Sequence, residues 1–279
     1  MSIEKIALPP VLERHELKYL IPASLVEPIS QFIEPYCQLD YHSLNSFENF
    51  YLVNSLYFDT RDCVFLQQRL YGCDRRFNMR ARAYADGEAP YYLEIKQKSG
   101  GSVKKYRATV SAEEWPAILT DPLYRVPKSD TPVARRNKEL YMRLAKSYAI
   151  EPKVYTQYRR RAFFSTVDEY ARVTMDREMK YRVQEDVPGA RNPYDLKPDD
   201  SLTHYDNETI YATNTYSDAN IVLELKCNIG QVPMWMVDLI TTFQLKQVGF
   251  SKYMNSSLVS QYDNGIGYMK GDRLGFCYE

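Results

Sequence analysis

Long charged side chains recur two residues apart through this sequence, opposite apolar neighbours. Arg14, Glu16 and Lys18 alternate with His15, Leu17 and Tyr19, and Arg80 and Arg82 lie between Met79, Ala81 and Ala83. Glu94, Lys96 and Lys98 alternate with Leu93 and Ile95, and Lys105 aligns with Arg107. Arg172 and Asp176 oppose Val173 and Met175, and Glu224 and Lys226 oppose Leu223 and Leu225. Side chains at i and i+2 leave the same face of a strand, so each run builds a face of Arg and Lys with an occasional carboxylate. Guanidinium forks and ammonium groups gathered this way suit phosphoryl oxygens. In a single strand the pattern needs no more than the wet face of an antiparallel sheet. Six strands sharing it, with long Arg and Lys in place of Thr, Ser and Gln, suggest faces curled together into a polar-lined barrel. The apolar faces would then turn outwards to helices. An interior crowded with like charge is costly unless a counter-charge enters. A phosphate chain supplies that charge, and a divalent metal on the glutamates completes the balance.

The elements that must position these faces are short. Alternation predicts strands over Arg14–Ile21, Phe50–Tyr57, Asn78–Tyr84, Tyr91–Gln97, Lys104–Val110, Lys153–Phe164, Ala171–Val183 and Ile221–Cys227. Turns are expected at Asp86-Gly87 and Gly100-Gly101. Helical spacing predicts helices over Ala23–Tyr36, Arg61–Leu70, Ala112–Leu119, Ala134–Tyr148, Met234–Val248 and Lys252–Tyr262. Asp59 or Thr60 is the expected cap of the second helix. The Pro-, Asn- and Asp-rich stretch Gln184–Asn220 reads as a surface excursion of one domain spanning 1–279. The fold class expected is α+β, an antiparallel β-barrel with helices outside and at the C-terminus.

Bulk properties narrow the partners. The 36 Lys and Arg balance 36 Asp and Glu, which argues against general attraction to nucleic acid or anionic lipid. Charge is segregated, however: Arg75–Arg107 holds nine basic and three acidic residues, whereas Gln184–Glu208 holds seven acidic and two basic. A local basic concentration in a neutral chain fits a small polyanion site. The five cysteines form no CxxC pair and only three histidines accompany them. Neither a zinc site nor a disulfide framework is expected, and reduced thiols point to a cytoplasmic location. No apolar run is long enough to span a membrane or serve as a signal peptide. His15 alternates onto the apolar side of its strand, and Trp115, Trp235, Met234 and Met236 read as packing residues.

Several runs, in order, resemble the VTC domain, the polyphosphate polymerase domain of the vacuolar transporter chaperone complex, with its stand-alone bacterial relatives. They are Glu13-Arg14-His15-Glu16-Leu17-Lys18-Tyr19, Ser55-Leu56-Tyr57-Phe58-Asp59-Thr60, Arg80-Ala81-Arg82, Leu93-Glu94-Ile95-Lys96 and Ser102-Val103-Lys104. Tyr158-Arg159-Arg160-Arg161-Ala162-Phe163, Arg172-Val173-Thr174-Met175-Asp176, Leu223-Glu224-Leu225-Lys226 and Phe250-Ser251-Lys252-Tyr253 follow. The resemblance implies a CYTH-like triphosphate tunnel metalloenzyme whose barrel binds triphosphate with Mg²⁺ or Mn²⁺. It implies transfer of the terminal phosphate of ATP to polyphosphate. Carried over by position, Lys18, Arg80, Arg82, Lys96, Arg160 and Lys252 would hold phosphates as the catalytic set. Arg14, Lys98, Lys104, Lys105, Arg107, Arg172 and Lys226 would assist substrate binding, with Tyr158 stacking on a base. Glu224, helped by Glu94, would hold the metal. Many hydrolytic relatives begin Glu-x-Glu-x-Lys, and Arg14 stands where they have the first Glu, which favours the polymerase branch. The alternatives are a metal-dependent triphosphatase and a non-catalytic polyphosphate or inositol-pyrophosphate sensor. The expected partners are ATP and polyphosphate, without nucleic acid or an intrinsic membrane segment, and with room for a separate membrane partner.

Overall fold

A computed structural model of the chain describes residues 14–85, 87–99, 102–184, 191–205 and 219–262. The Gly100-Gly101 turn, Asp86, and residues 185–190 and 206–218 of the expected excursion lie outside the described residues. Ten strands form one antiparallel sheet: β1 (Arg14–Pro22), β2 (Cys37–Leu39), β3 (Tyr51–Asp59), β4 (Arg75–Tyr84), β5 (Glu88–Ser99), β6 (Ser102–Val110), β7 (Glu151–Ser165), β8 (Ala171–Val183), β9 (Thr203–His204) and β10 (Ala219–Asn228). Their order is β1-β10-β8-β7-β3-β4-β5-β6, with β2 on β7 and β9 on β8. β1 and β6 end this order, yet Lys96 of β5 ion-pairs with Glu16 of β1. The sheet therefore curls until its two edges face each other, giving the expected barrel as a curled antiparallel sheet.

Alternation sorts the side chains into an outside and an inside. On the outer face of β1, β8 and β10, Tyr19, Val173, Met175, Leu223 and Leu225 pack with helices α1 (Val26–Ile33) and, further along, Trp235, Met236 and Leu239. Val26, Ile29 and Ile33 of α1 recur at helical spacing and are all buried. Full burial of each isoleucine contributes about 1.5–3 kcal/mol. On the outer face of β3 to β6, Leu56, Phe58, Met79, Leu93 and Ile95 pack with Trp115, Ile118 and Tyr141. A third cluster lies inside, where Leu20, Tyr57, Val154, Tyr158, Val222, Phe250 and Tyr253 fill part of the lumen.

Helix boundaries differ from expectation for local reasons. α2 (Tyr41–Leu44), like β2, was hidden by its shortness; Asp40 caps it by accepting from Ser43 N at 2.9 Å. α3 is only Val64–Leu70, because Cys63 before it has φ 55°. Both expected caps serve it: Asp59 accepts from Phe65 N and Leu66 N at 2.9 Å each, and Thr60 Oγ1 accepts from Val64 N at 3.0 Å. The expected helix Ala112–Leu119 shrinks to α4 (Ala117–Thr120), preceded by Pro116, which donates no backbone hydrogen bond. α5 (Pro132–Ser147) starts on Thr131, whose hydroxyl accepts from Ala134 N at 3.2 Å. α6 (Met234–Thr242) stops six residues early: Gln244 takes φ 48°, and Leu245 N turns back to Ile240 O at 2.9 Å. α7 (Lys252–Tyr262) follows as expected. Part of the expected surface excursion is in fact a covering layer, since Leu196 and Leu202 are buried against the β3–β6 face. Its apolar residues are spaced too irregularly to signal an element in the sequence. Among the described residues, no helix is long and apolar enough to cross a membrane.

Candidate active site

The curled sheet encloses a cavity of about 990 Å³, lined from all eight strands of the main order. Fourteen Lys and Arg residues line it against three Glu. Such an excess inside a protein calls for an anion. Of the candidates read from the sequence, Arg14, Lys18, Arg80, Arg82, Glu94, Lys96, Lys98, Lys105, Arg107, Tyr158, Arg160, Arg172, Glu224, Lys226 and Lys252 all line this space. Lys104 does not. It sits one residue out of phase with Lys105 and is exposed, so the period of two places it on the other face.

The carboxylates divide the cations into three groups. In the first, Glu94, 2% exposed, receives Arg80 Nη2 at 2.6 Å, Lys105 Nζ at 2.5 Å and Arg107 Nε at 2.9 Å. Burial alone would raise the Glu94 carboxyl, but Arg80, Lys105, Arg82 and Arg107 hold it well below the ordinary range. Burial, with repulsion from Arg107, Arg80 and Arg82, drives the Lys105 ammonium well down despite Glu94. In the second, Glu224 Oε1 lies 3.0 Å from Lys18 Nζ and its Oε2 2.5 Å from Lys226 Nζ. Glu16 beside them pairs with Lys96, and with Arg14 Nε at 3.3 Å. Burial lowers the Lys226 ammonium to about 7, with Glu224 offsetting only part. In the third, Asp176 takes a two-pronged contact from Arg160, Nε to Oδ1 at 2.6 Å and Nη2 to Oδ2 at 2.7 Å, and Lys252 Nζ at 2.5 Å. Burial raises the Asp176 carboxyl, but Arg160 and Lys252 bring it to about 2.

Tyrosines hold the remaining forks. Arg80 Nη1 donates to Tyr57 OH at 3.1 Å, and Arg82 Nη2 donates to Tyr158 OH at 3.2 Å. Tyr158 is 1% exposed, with Lys252 Nζ 4.4 Å and the Arg160 guanidinium 5.3 Å from its ring centre. Cations already cover this ring, so it presents no open face to a base, contrary to the stacking role read from the sequence. Lys252 reaches the lumen because α7 begins at it, and the neighbouring Tyr253 donates to Asp59 Oδ2 at 2.6 Å. Asp59 thus joins the end of β3, the start of α3 and α7 through one buried carboxylate.

Glu16, Asp176, Tyr57 and Tyr84 were not put forward from the sequence as site residues. The signal for Glu16 and Asp176 was their place in charged faces, but nothing in the sequence said which cations they meet. Tyr84 accepts from Arg107 Nη2 at 3.0 Å and Arg82 Nη1 at 3.4 Å. Burial raises its phenol, but Arg82 and Arg107 outweigh burial and bring it to about 7. Above that pH a phenolate would neutralise the two arginines and compete with phosphate. The dissociation constant for inorganic triphosphate should therefore climb faster with pH in the wild type than in Tyr84→Phe, by up to about tenfold per unit between pH 7 and 9. Calorimetry on both proteins isolates this difference, because the ligand's own ionisation is common to them. Parallel profiles would refute the assignment.

The donor set also bears on a metal. Among the described residues, no group of three or more His, Cys, Asp or Glu could hold an ion alone. Glu94 is committed to three cations and suits a counter-charge better than a metal ligand, in place of the supporting role read from the sequence. Glu224 and Glu16 lie close enough for their charges to oppose each other. They fit a hard ion that takes one or two carboxylates and completes its shell from phosphate and water.

The family model of the VTC domain matches residues 13–260. No curated protein matches the sequence. Among solved structures, a candidate adenylate cyclase from Bacillus halodurans is similar at 13% identity and TM-score 0.47, over 88% of this chain and 96% of that one. A candidate adenylyl cyclase from Hippeastrum, described as having a dominant triphosphatase activity, is similar at 14% identity and TM-score 0.46 over the same shares. The PH1819 protein of Pyrococcus horikoshii is similar at 9% identity and TM-score 0.42, over 89% and 98%.

Proposed function

The chain belongs to the VTC domain family, and from that premise we propose that it is a metal-assisted polyphosphate polymerase, moving the terminal phosphate of ATP to a phosphate chain in its lumen. The observation that carries the reading is the charge of the cavity: fourteen cationic side chains and three glutamates around about 990 Å³. A linear polyanion fills such a space and neutralises it along its length.

The chain's own residues would act by placement and charge. Arg80, Arg82 and Arg160 arrive with their forks already oriented by Glu94, Tyr57, Tyr158 and Asp176, so little freedom is lost when phosphate oxygens bind. Lys18, Lys96 and Lys252 are point charges that follow the phosphoryl group as charge shifts between attacking and leaving oxygens. Arg14, Lys98, Arg172 and Lys226 extend the cationic wall, and Lys105 and Arg107 complete it opposite Glu94. The end of a phosphate chain is already an ionised nucleophile, so the transfer needs no strong general base. Glu224, with Glu16, would hold Mg²⁺ or Mn²⁺, which would supply electrostatic stabilisation of the charge that develops during transfer.

Incubation of the purified protein with ATP and Mn²⁺, followed by a gel stained for polyphosphate and an assay of free phosphate, tests the reading. A ladder of lengthening chains that disappears in Glu224→Gln is the expected result. Free phosphate without a ladder would replace the polymerase by a triphosphatase. Tight polyphosphate binding with neither product would leave a sensor.

A further inference from the structure

The lumen changes character at one end. Along β4 the inward positions run Arg80, Arg82 and then Tyr84, and Tyr92 on β5 pairs with Arg82 across the strands. Beyond them is a second cavity, of about 220 Å³, lined by His42, Tyr84, Glu88, Pro90 and Tyr92. Tyr84 lines both cavities. The His42 ring lies 5.2 Å from that of Tyr84 at an interplanar angle of 25°, and the Tyr92 ring lies 5.4 Å from it. Tyr51 packs against both His42 and Tyr84, with centroids 5.2 and 5.9 Å away. From the lumen side, Arg107 and Arg82 donate to Tyr84 OH, and the Arg107 guanidinium lies 4.4 Å over the Tyr92 ring. One set of aromatic rings therefore faces a polycationic space on one side and a small aromatic cavity on the other.

We propose that this cavity receives the heteroaromatic base of a nucleoside triphosphate whose phosphate tail lies in the basic lumen, an inference that rests on the lumen binding phosphoanhydrides. A ligand that fills both spaces must be polyanionic at one end and planar and apolar at the other. A nucleoside triphosphate has that division, whereas an inorganic phosphate chain has nothing to place against the rings. Aromatic side chains stack on any base because every base presents a π-face. Glu88 on the cavity wall supplies an acceptor for the exocyclic amine of an amino-bearing base such as adenine. The donor would then enter with its base at the Tyr84 end and its terminal phosphate towards Arg80 and Lys252.

Calorimetric titration of the full chain with ATP and, separately, with inorganic triphosphate tests the assignment. His42→Ala should weaken ATP about tenfold and leave inorganic triphosphate unchanged, and His42→Phe, which keeps a ring, should restore ATP binding. A second measurement needs no variant: adenosine added to the wild-type protein should weaken ATP binding and spare inorganic triphosphate. Equal losses for both ligands, unchanged ATP binding in His42→Ala, or no effect of adenosine would each overturn the base site while leaving the basic lumen intact. Failure of wild-type protein to bind inorganic triphosphate would instead overturn the lumen reading, and this inference with it.

Discussion

Lys252→Ala is expected to lower the rate of ATP turnover by about 10²–10³-fold, the usual loss on removing one preorganised charge from a transition state. The stability cost should be small for a reason visible in the third charge group. With Lys252 gone, Asp176 keeps both contacts from Arg160, so no buried carboxylate is left unpaired. The Lys252 ammonium sits against the Tyr158 ring at 4.4 Å, and loss of that contact should cost about 1 kcal/mol, or roughly 2–4 °C in melting temperature. Burial would lower the Lys252 ammonium, but Asp176, Tyr158 and Glu224 raise it. It therefore stays charged across the neutral range, and the loss should not depend on pH between 6 and 9. Steady-state rates and thermal melts on the same preparations decide the matter. A variant that turns over normally removes Lys252 from the machinery, and one that melts far below wild type makes its role structural.

Glu94→Gln is expected to do the opposite, with its main effect on stability. Three basic side chains within 2.9 Å share this carboxylate, and its loss leaves them facing one another across the lumen wall without their counter-charge. Breaking a buried ionic group in this way costs about 3–5 kcal/mol, or roughly 10 °C for a domain of this size. The folded carboxyl lies well below its unfolded value. Its stabilisation is thus complete above the ordinary carboxylate range and fades only as pH falls towards the folded value, so at pH 7 the variant loses all of it. An anion can take the place of the missing charge. Inorganic triphosphate should raise the melting temperature of Glu94→Gln more than that of the wild type, because ligand binding to the folded state stabilises by mass action. Equal melting temperatures without ligand would show that Glu94 is not the counter-charge of this group.

Much of the architecture follows from local rules that the sequence alone carries. The period of two assigns Arg80, Arg82, Lys105, Arg107, Glu224 and Lys226 to one face, because a pleated backbone sends neighbours to opposite sides whatever the rest of the chain does. The same rule sets Leu223, Leu225, Met79 and Leu93 against helices, and with Lys105 and Arg107 on the inner face it puts Lys104 on the other, where only the resemblance had drawn it into the site. Caps at Asp59 and Thr60 were legible because each bonds within a few residues of itself. What the sequence did not carry is who meets whom across the lumen. Glu16 finds Lys96 eighty residues away only because the sheet curls until its edges face, and Lys252 joins Asp176 only because a C-terminal helix begins against the inner wall. Other contacts between distant parts of the chain gather three basic side chains on Glu94, cover the ring of Tyr158 with cations, and lay Leu196 and Leu202 over a sheet face. A side chain's face depends on its own strand, but its partners depend on curvature and register summed over eight strands, and no short window of sequence contains that sum.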